Sequence, residues 1–155
     1  MVKRRIYDQD RHAHFVTFSC FRRRRFLHPD RAKRIVIGSM GSQLSRQKGI
    51  CSGFGVLPDH VPALVWFPEV AQLSPFMDAC KPQTSKAIQA LFEAQYVEYF
   101  QQTPASDPIW QARYDGFNLW SRHKFVEKLE YMHSNPVRAG LVARTTNWKW
   151  SSARW

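Results

Sequence analysis

Cysteine is scarce in this chain of 155 residues, where Cys20, Cys51 and Cys80 stand far apart and form no CxxC pair. An odd number of widely spaced cysteines is not a disulfide framework, and the lack of CxxC pairs excludes a zinc knuckle. We therefore expect the three cysteines to behave as small buried hydrophobic residues.

Long apolar runs are also missing. No segment approaches the roughly 20 apolar residues that a membrane-spanning helix needs. The N-terminal sequence MVKRRIYDQDRHAHF lacks the apolar stretch of a secretory signal. Neither GxxxxGK[ST] nor GxGxxG occurs, which argues against a nucleotide-driven enzyme. These absences predict a cytoplasmic protein that has no membrane partner.

Acidic residues are few: 12 Asp and Glu stand against 23 Lys and Arg, a formal net charge of +11. A charge of this size favours an acidic polymer as partner, and nucleic acid is the first candidate. The alternative is a merely basic protein with no such partner. Hydrophobic residues make up 44% and aromatic residues 14%, enough for one folded domain over residues 1–155.

Alternating and periodic apolar residues predict a series of strands and helices. The strands are expected at residues 14–21, 50–58, 60–67 and 109–120, with a tight hairpin between the second and third. The helices are expected at residues 28–49, at about 72–102, and from 121 to near 135. This order predicts an α+β, ferredoxin-like antiparallel sheet with helices on one face, followed by a C-terminal helix.

Prolines and glycines mark the expected breaks in these elements. Pro75 and Pro82 are expected to split the first part of the second helix, and Pro136 to end the last helix near Asn135. Gly116 is a candidate interruption of the fourth strand, and Ser121 is a candidate N-cap. The apolar stripe of the second helix is predicted to contain Ile88, Leu91, Phe92, Tyr96 and Tyr99.

The C-terminal helix has two different sides when its residues are placed about 100° apart. Its apolar side is predicted to contain Phe125, Val126, Leu129 and Met132. Its polar side is predicted to contain Lys124, Lys128, Tyr131 and Asn135. Tyr131 therefore lies off the core stripe, with Asn135 one turn further along.

Two interpretations of this polar side remain open. Tyr131 is either a half-exposed surface residue beside an asparagine that helps to end the helix, or a nucleophile beside an oxygen ligand. A tyrosine hydroxyl attacks a phosphate when a metal or a base activates it. An asparagine oxygen suits Mg²⁺ or Mn²⁺, and Lys124 and Lys128 suit a phosphate backbone or simply face solvent.

Six segments, in order, resemble the REP-associated branch of the single-tyrosine HUH transposases. They cover most of residues 14–154 and read HFVTFSCFRRRRFL, GFGVLPDHVPAL, LSPFMDACKPQTSKAIQ, IWQARYDGF, KLEYMHSNPVRAGLV and WKWSSAR. The resemblance implies a ferredoxin-like nuclease that cuts single-stranded DNA at hairpin-flanked ends. It also implies tyrosine attack on the phosphate, which forms a 5′-phosphotyrosine link and leaves a free 3′-hydroxyl.

The resemblance also implies a divalent cation, Mg²⁺ or Mn²⁺. In the family, two histidines of a His–hydrophobic–His motif and a polar residue four positions after the tyrosine hold this cation. Carried over by motif, the nucleophile is Tyr131 and the metal ligands are His60 and Asn135.

This sequence departs from the family motif at Pro62, which stands where the family has its second histidine. Residues 60 and 62 of a strand point to the same face, so two histidines there would converge on one ion. Proline offers neither a ligand nor a backbone N–H, and it is poorly tolerated in a central strand. We therefore expect metal binding to be weakened or lost unless another side chain compensates. The candidates are Asp59, expected on the opposite face, His133, expected on the apolar side of its helix, His14 and Glu69.

Basic and aromatic residues supply the candidate DNA contacts. The run Arg22, Arg23, Arg24 and Arg25, with Lys33 and Arg34, is predicted to contact phosphates, although a solvated surface is the default for such a run. Four tryptophans are candidates for stacking on unpaired bases, with core packing preferred for the first and third: Trp110, Trp148, Trp150 and Trp155.

Three functions follow from this pattern. The first is a transposase-like protein that binds single-stranded or hairpin DNA and, if active, cuts and joins strands. The second is a catalytically impaired DNA- or RNA-hairpin binder on the same fold. The third is a basic RNA-associated protein. The sequence leaves the choice between monomer and homodimer open.

Overall fold

The computed structural model describes residues 11–104 and 106–155. Its elements follow the predicted order. The strands are β1 (Ala13–Ser19), β2 (Ile50–Phe54), β3 (His60–Trp66) and β4 (Asp115–Leu119). The helices are α1 (Asp30–Arg46), α2 (Leu73–Gln95), α3 (Val97–Gln101) and α4 (Arg122–Arg138).

The four strands form one antiparallel sheet in the order β2-β3-β1-β4. With α1 and α2 as the two crossover elements, this is the ferredoxin-like arrangement. The α+β fold predicted from the sequence is confirmed.

The two faces of the sheet bury different helices. Val16 and Phe18 of β1 join the core cluster that contains residues of α1 and α2. Phe15, which points to the opposite face, packs in a second cluster with Leu64 of β3, Leu119 of β4 and Met132 of α4. Therefore α4 covers the face of the sheet that α1 and α2 leave open.

A glycine of β2 lets α4 approach the sheet closely. A Cβ atom at Gly53 would lie 2.7 Å from Leu129 Cδ1 and 2.8 Å from Met132 Cε, closer than such atoms approach one another. The absence of a side chain at Gly53 therefore gives these α4 residues room against the sheet.

Proline does not end the helices where the sequence predicts. The expected split of the second helix at Pro75 and Pro82 is wrong, because α2 runs from Leu73 to Gln95 and the chain breaks at Tyr96. Pro75 lies in the first turn, where its missing N–H would have no partner in the helix. No helix within the described ranges is long and apolar enough to cross a membrane.

The last helix also continues past its expected end near Asn135. Pro136 lies inside α4, which ends at Arg138. Met132 and Pro136 are the buried residues of α4 and lie one turn apart. Burial of these two side chains offsets the free-energy cost of the backbone hydrogen bond that proline removes. Val126, predicted on the apolar side, is exposed.

The fourth predicted strand is interrupted before Gly116 rather than at it. Trp110 forms only an isolated bridge with Cys20, and the regular strand begins at Asp115. The Trp110 ring is buried, and its indole N–H donates a hydrogen bond to Thr84 Oγ1 of α2 at 2.9 Å. This contact draws the chain toward the helix layer, and Gly116 pairs with Val16 inside β4.

Pro62 is accommodated in the central strand β3 because the hydrogen-bonded pairing of β3 with β2 stops beside it. The Pro62 carbonyl accepts a hydrogen bond from Gly55 N–H at 3.0 Å. An antiparallel pair of this kind normally exchanges two such bonds, and proline cannot supply the second. Strand β2 ends at Phe54, and Gly55 bridges to Ser151 of the C-terminal segment instead.

The cysteines confirm the expectation of hydrophobic packing at two positions. Cys20 and Cys80 are buried and Cys51 is partly buried, and all three are free. Burial raises the pKa of Cys20 to about 12 and that of Cys80 to about 11. Both thiols therefore stay protonated and unreactive near neutral pH.

The N-cap of α4 allows a direct test of how firmly this helix is held. The Ser121 side chain accepts a hydrogen bond from Lys124 N–H at 3.2 Å. Replacing Ser121 with Ala should lower the free energy of unfolding by about 1 kcal/mol, because one helix N–H loses its partner. Urea denaturation followed by circular dichroism measures this change. Ser42→Ala, at an exposed position inside α1, is the matched control and should change stability little; equal losses in the two variants would contradict the role of the cap.

Candidate functional site

His60 opens β3 and lies on the face of the sheet that α4 covers. Its Nδ1 is 2.7 Å from Asp59 Oδ1, and Asp59 Oδ2 is 3.1 Å from Arg23 Nε. Arg23 also donates to Ser19 Oγ at 3.0 Å. The expectation that Asp59 points away from His60 is wrong, because β3 begins at His60 and Asp59 lies outside its regular pleat.

The electrostatics keep the His60 ring neutral near pH 7. Burial lowers the pKa of His60 below its usual 6.5, and the Asp59 carboxylate opposes this effect only in part. A neutral ring that donates its Nδ1 proton to a carboxylate keeps the lone pair on Nε2. The ring borders a cleft of about 210 Å³, which Arg23, Arg25, Ala139 and Leu141 also line.

Tyr131 and Asn135 lie on one side of α4, as predicted, and a third residue joins them. The Arg138 guanidinium lies 3.8 Å from the centre of the Tyr131 ring and donates to the Tyr131 carbonyl at 3.1 Å. The same guanidinium donates to Asn135 Oδ1. Tyr131 remains 52% exposed. The sequence analysis missed Arg138, although its positions three after Asn135 and seven after Tyr131 place it on the same side.

Lys128 extends this cationic side of α4 toward the sheet. Its ammonium lies 4.7 Å from the centre of the Phe117 ring and 5.8 Å from that of Tyr131. Lys124 instead pairs with Glu127 at 3.0 Å. The exposed Tyr131 ring therefore has two cations close to it, Lys128 and Arg138.

The donors around this site do not fit a resident Mg²⁺ or Mn²⁺. Arg138 takes the oxygen of Asn135, Asp59 bridges His60 and Arg23, and Pro62 offers no ligand. Across residues 11–104 and 106–155, no group of three His, Cys, Asp or Glu side chains is arranged to hold a metal ion. A guanidinium on the oxygen that a cation would need competes directly with that cation.

The other candidate ligands have different partners. His14 contacts Asn118 Oδ1 at 3.0 Å, and its pairing with Val65 places it on the α1 and α2 face. His133 Nε2 is 2.7 Å from Ser152 Oγ. Glu69 pairs with Arg11 at 3.6 Å. Of the compensating candidates, only Asp59 contacts His60.

The run from Arg22 to Arg25 is not a uniform solvated surface. Arg23 pairs with Asp59, and Arg24 pairs with Asp107 at 2.8 Å. The Arg22 guanidinium lies 5.3 Å from the centre of the Phe21 ring, and Arg25 is exposed beside His28. Two of the four charges are therefore matched by carboxylates.

Lys33 and Arg34 differ in their access to solvent. Lys33 is only 3% exposed, donates to the His28 carbonyl at 2.6 Å, and lies 5.6 Å from the centre of the Trp148 ring. Burial lowers the pKa of Lys33, against the opposing effect of Asp30. Arg34 is exposed, with its guanidinium 5.8 Å from the Trp150 ring.

The tryptophans divide between packing and exposure. Core packing is confirmed for Trp110, and Trp150 packs partly buried against the main core. Trp148 donates its indole N–H to the Val56 carbonyl at 3.0 Å. Trp148 and Trp150 line a cleft of about 420 Å³ together with Arg25, while Trp155 is 92% exposed.

Several solved structures share this fold, including the following two. The structure of the REP-associated tyrosine transposase bound to a REP hairpin matches with a TM-score of 0.79 and 19% identity, over 99% of this chain and 84% of that one. A candidate transposase from Deinococcus radiodurans R1 matches with a TM-score of 0.56 and 18% identity, over 86% of this chain and 97% of that one. No protein-family model and no curated protein matches the sequence. The comparison therefore shows that this chain shares the fold of these two proteins.

Proposed function

We propose that this chain is a REP-associated tyrosine transposase-like protein that binds single-stranded DNA folded into a hairpin. The observation that carries the proposal is the transposase fold over 99% of the chain, with a neighbour bound to a REP hairpin. The net charge of +11 supports a polyanionic partner.

The basic surface around Arg25 gives the DNA a path across the molecule. Arg25 borders three clefts: one with His60, one with Trp148 and Trp150, and one with Tyr99. Arg25 and Arg34 are exposed and serve as phosphate contacts in this proposal. Lys33 acts differently, because its buried ammonium packs against the Trp148 and Trp150 rings.

Strand cleavage is the impaired part of the proposed function. Attack by the Tyr131 hydroxyl on a phosphate would form a phosphotyrosine bond and release a 3′-hydroxyl, and it needs a base and a counter-charge. Pro62 removes one ligand position, and Arg138 holds the oxygen of Asn135. We therefore assign hairpin binding to the chain as it stands and cation-dependent cleavage to a Pro62→His variant.

Hairpin binding should be strongly dependent on salt. Binding of a fluorescent DNA hairpin with single-stranded flanks is measured between about 50 and 200 mM salt. The logarithm of the association constant should fall linearly with the logarithm of the salt concentration. Arg25→Ala should reduce that slope by about 1, because one phosphate contact is lost. The control is Arg46→Ala, at the far end of α1 about 24 Å along the helix axis from Asp30, and it should leave the slope unchanged.

Binding that ignores salt would rule out the nucleic-acid proposal. An RNA hairpin of the same sequence, used as competitor, separates a DNA binder from an RNA binder, since the 2′-hydroxyl and A-form geometry are the features that distinguish them. Equal competition by RNA would reassign the partner.

Cleavage is tested by trapping the protein–DNA bond. With labelled hairpin DNA and Mn²⁺, the natural chain should give no covalent band on a denaturing gel. Pro62→His should give one, because residues 60 and 62 share the face that α4 covers. Pro62→Ala restores the backbone N–H without an imidazole and should stay inactive.

The tyrosine assignment has its own control. Adding Tyr131→Phe to Pro62→His should abolish the band while hairpin binding persists. A band formed by the natural chain and lost in Tyr131→Phe would show instead that the chain is an active nuclease.

A further inference from the structure

An aromatic cleft lies where α2 ends and α3 begins. It measures about 410 Å³ and is lined by Arg25, His28, Pro29, Phe92, Tyr96 and Tyr99. The sequence predicts both tyrosines on a buried stripe, yet Tyr96 is 38% and Tyr99 37% exposed. Tyr96, with φ −132° and ψ 43°, is not helical; it separates α2 from α3 and lines the cleft.

Buried rings hold the two tyrosines in place. The Phe92 ring, itself buried, lies 5.1 Å from Tyr96 and 5.7 Å from Tyr99, measured between ring centres. Phe26 meets Tyr99 edge-on at 5.9 Å. The Tyr99 hydroxyl accepts a hydrogen bond from Arg25 N–H at 3.2 Å, which fixes the ring to the arginine loop. The exposed tyrosine surfaces are thus preorganised rather than free to collapse.

The rim of the cleft is basic. Arg25 and His28 are among its lining residues, while Glu93 and Glu98, the carboxylates of the neighbouring helical turns, do not line it. Arg25 also lines the cleft of His60, so the two clefts share this arginine. A flexible chain carrying phosphates can therefore run from His60 past Arg25 to the tyrosines.

We propose that this cleft binds one unpaired nucleobase of the single-stranded DNA that flanks the hairpin. The base stacks on the Tyr96 and Tyr99 rings, and Arg25 contacts the adjoining phosphate. This assignment rests on the proposed hairpin-binding function and adds a site for the flank. Aromatic rings beside a cation suit a nucleotide, whereas a second copy of this chain, with its net charge of +11, would bring further positive charge to a basic rim.

The test uses 2-aminopurine, a base whose fluorescence falls on stacking, placed in turn at each flank position of a DNA hairpin. One position should be quenched on binding to the natural chain and to Tyr96→Phe, which keeps the ring. Tyr96→Ala should restore that fluorescence and weaken binding of the flanked hairpin about 5- to 150-fold, the range for losing one stacked base. Affinity for the same hairpin without flanks should not change.

The matched control is Val97→Ala, which alters an exposed residue one position away that does not line the cleft. It should behave as the natural chain does. Circular dichroism of each variant confirms that the fold is kept, and position-specific quenching by the natural chain tests the site even where Tyr96→Ala does not fold.

Three results would overturn the assignment. The first is the absence of quenching at any particular flank position. The second is a Tyr96→Ala variant that loses equal affinity for flanked and unflanked hairpins, and the third is a Tyr96→Ala variant whose oligomeric state changes in sedimentation while its DNA binding does not. If unflanked hairpins do not bind but a single-stranded flank alone is quenched in a Tyr96-dependent way, hairpin binding fails and the base site stands.

Discussion

The packing of α4 on the open face of the sheet is the constraint on which the site depends. Phe15, Leu64, Leu119 and Met132 make this contact, and Gly53 removes the side chain that would obstruct it. Once the apolar side of α4 is buried here, the positions of Tyr131 and Asn135 follow from helical periodicity. The end of the same helix reaches the cleft of His60 through Ala139. The helix that carries Tyr131 and Asn135 therefore ends at the cleft of His60, because its apolar side is fixed against the sheet.

The positive charge at this surface comes from arginines. These arginines contact the oxygen atoms that a cation site would need to have free. Arg23 contacts the carboxylate that orients His60, and Arg138 contacts both Asn135 and the Tyr131 ring. A guanidinium can stabilise a phosphate by paired hydrogen bonds, but it cannot act as a Lewis acid on the attacking or leaving oxygen. This arrangement supports the proposed binding of DNA more than its cleavage, and Pro62, which offers no metal ligand, supports the same proposal.

The sequence was sufficient for the order of elements and for the placement of His60 and Pro62 on one face, because both follow from the two-residue period of strands. It was insufficient where long-range packing outweighs local preference. The continuation of α4 through Pro136 depends on burial, and the burial of Lys33 depends on tryptophans from the other end of the chain. The contact of Asp59 with His60 depends on the residue at which β3 begins. The guanidinium of Arg138 could be placed on the correct side of its helix, but its partners are set by side-chain conformation.

The proposed hairpin binding should not depend on a divalent cation, and this can be measured directly. Hairpin affinity is determined by fluorescence anisotropy at fixed ionic strength, once in EDTA and once in Mn²⁺. Arginine-mediated phosphate contacts need no metal, so the dissociation constants should agree within about twofold, a difference of less than 1 kcal/mol. Loss of binding in EDTA with recovery in Mn²⁺ would show that the chain holds a functional cation at its DNA surface and would contradict this account.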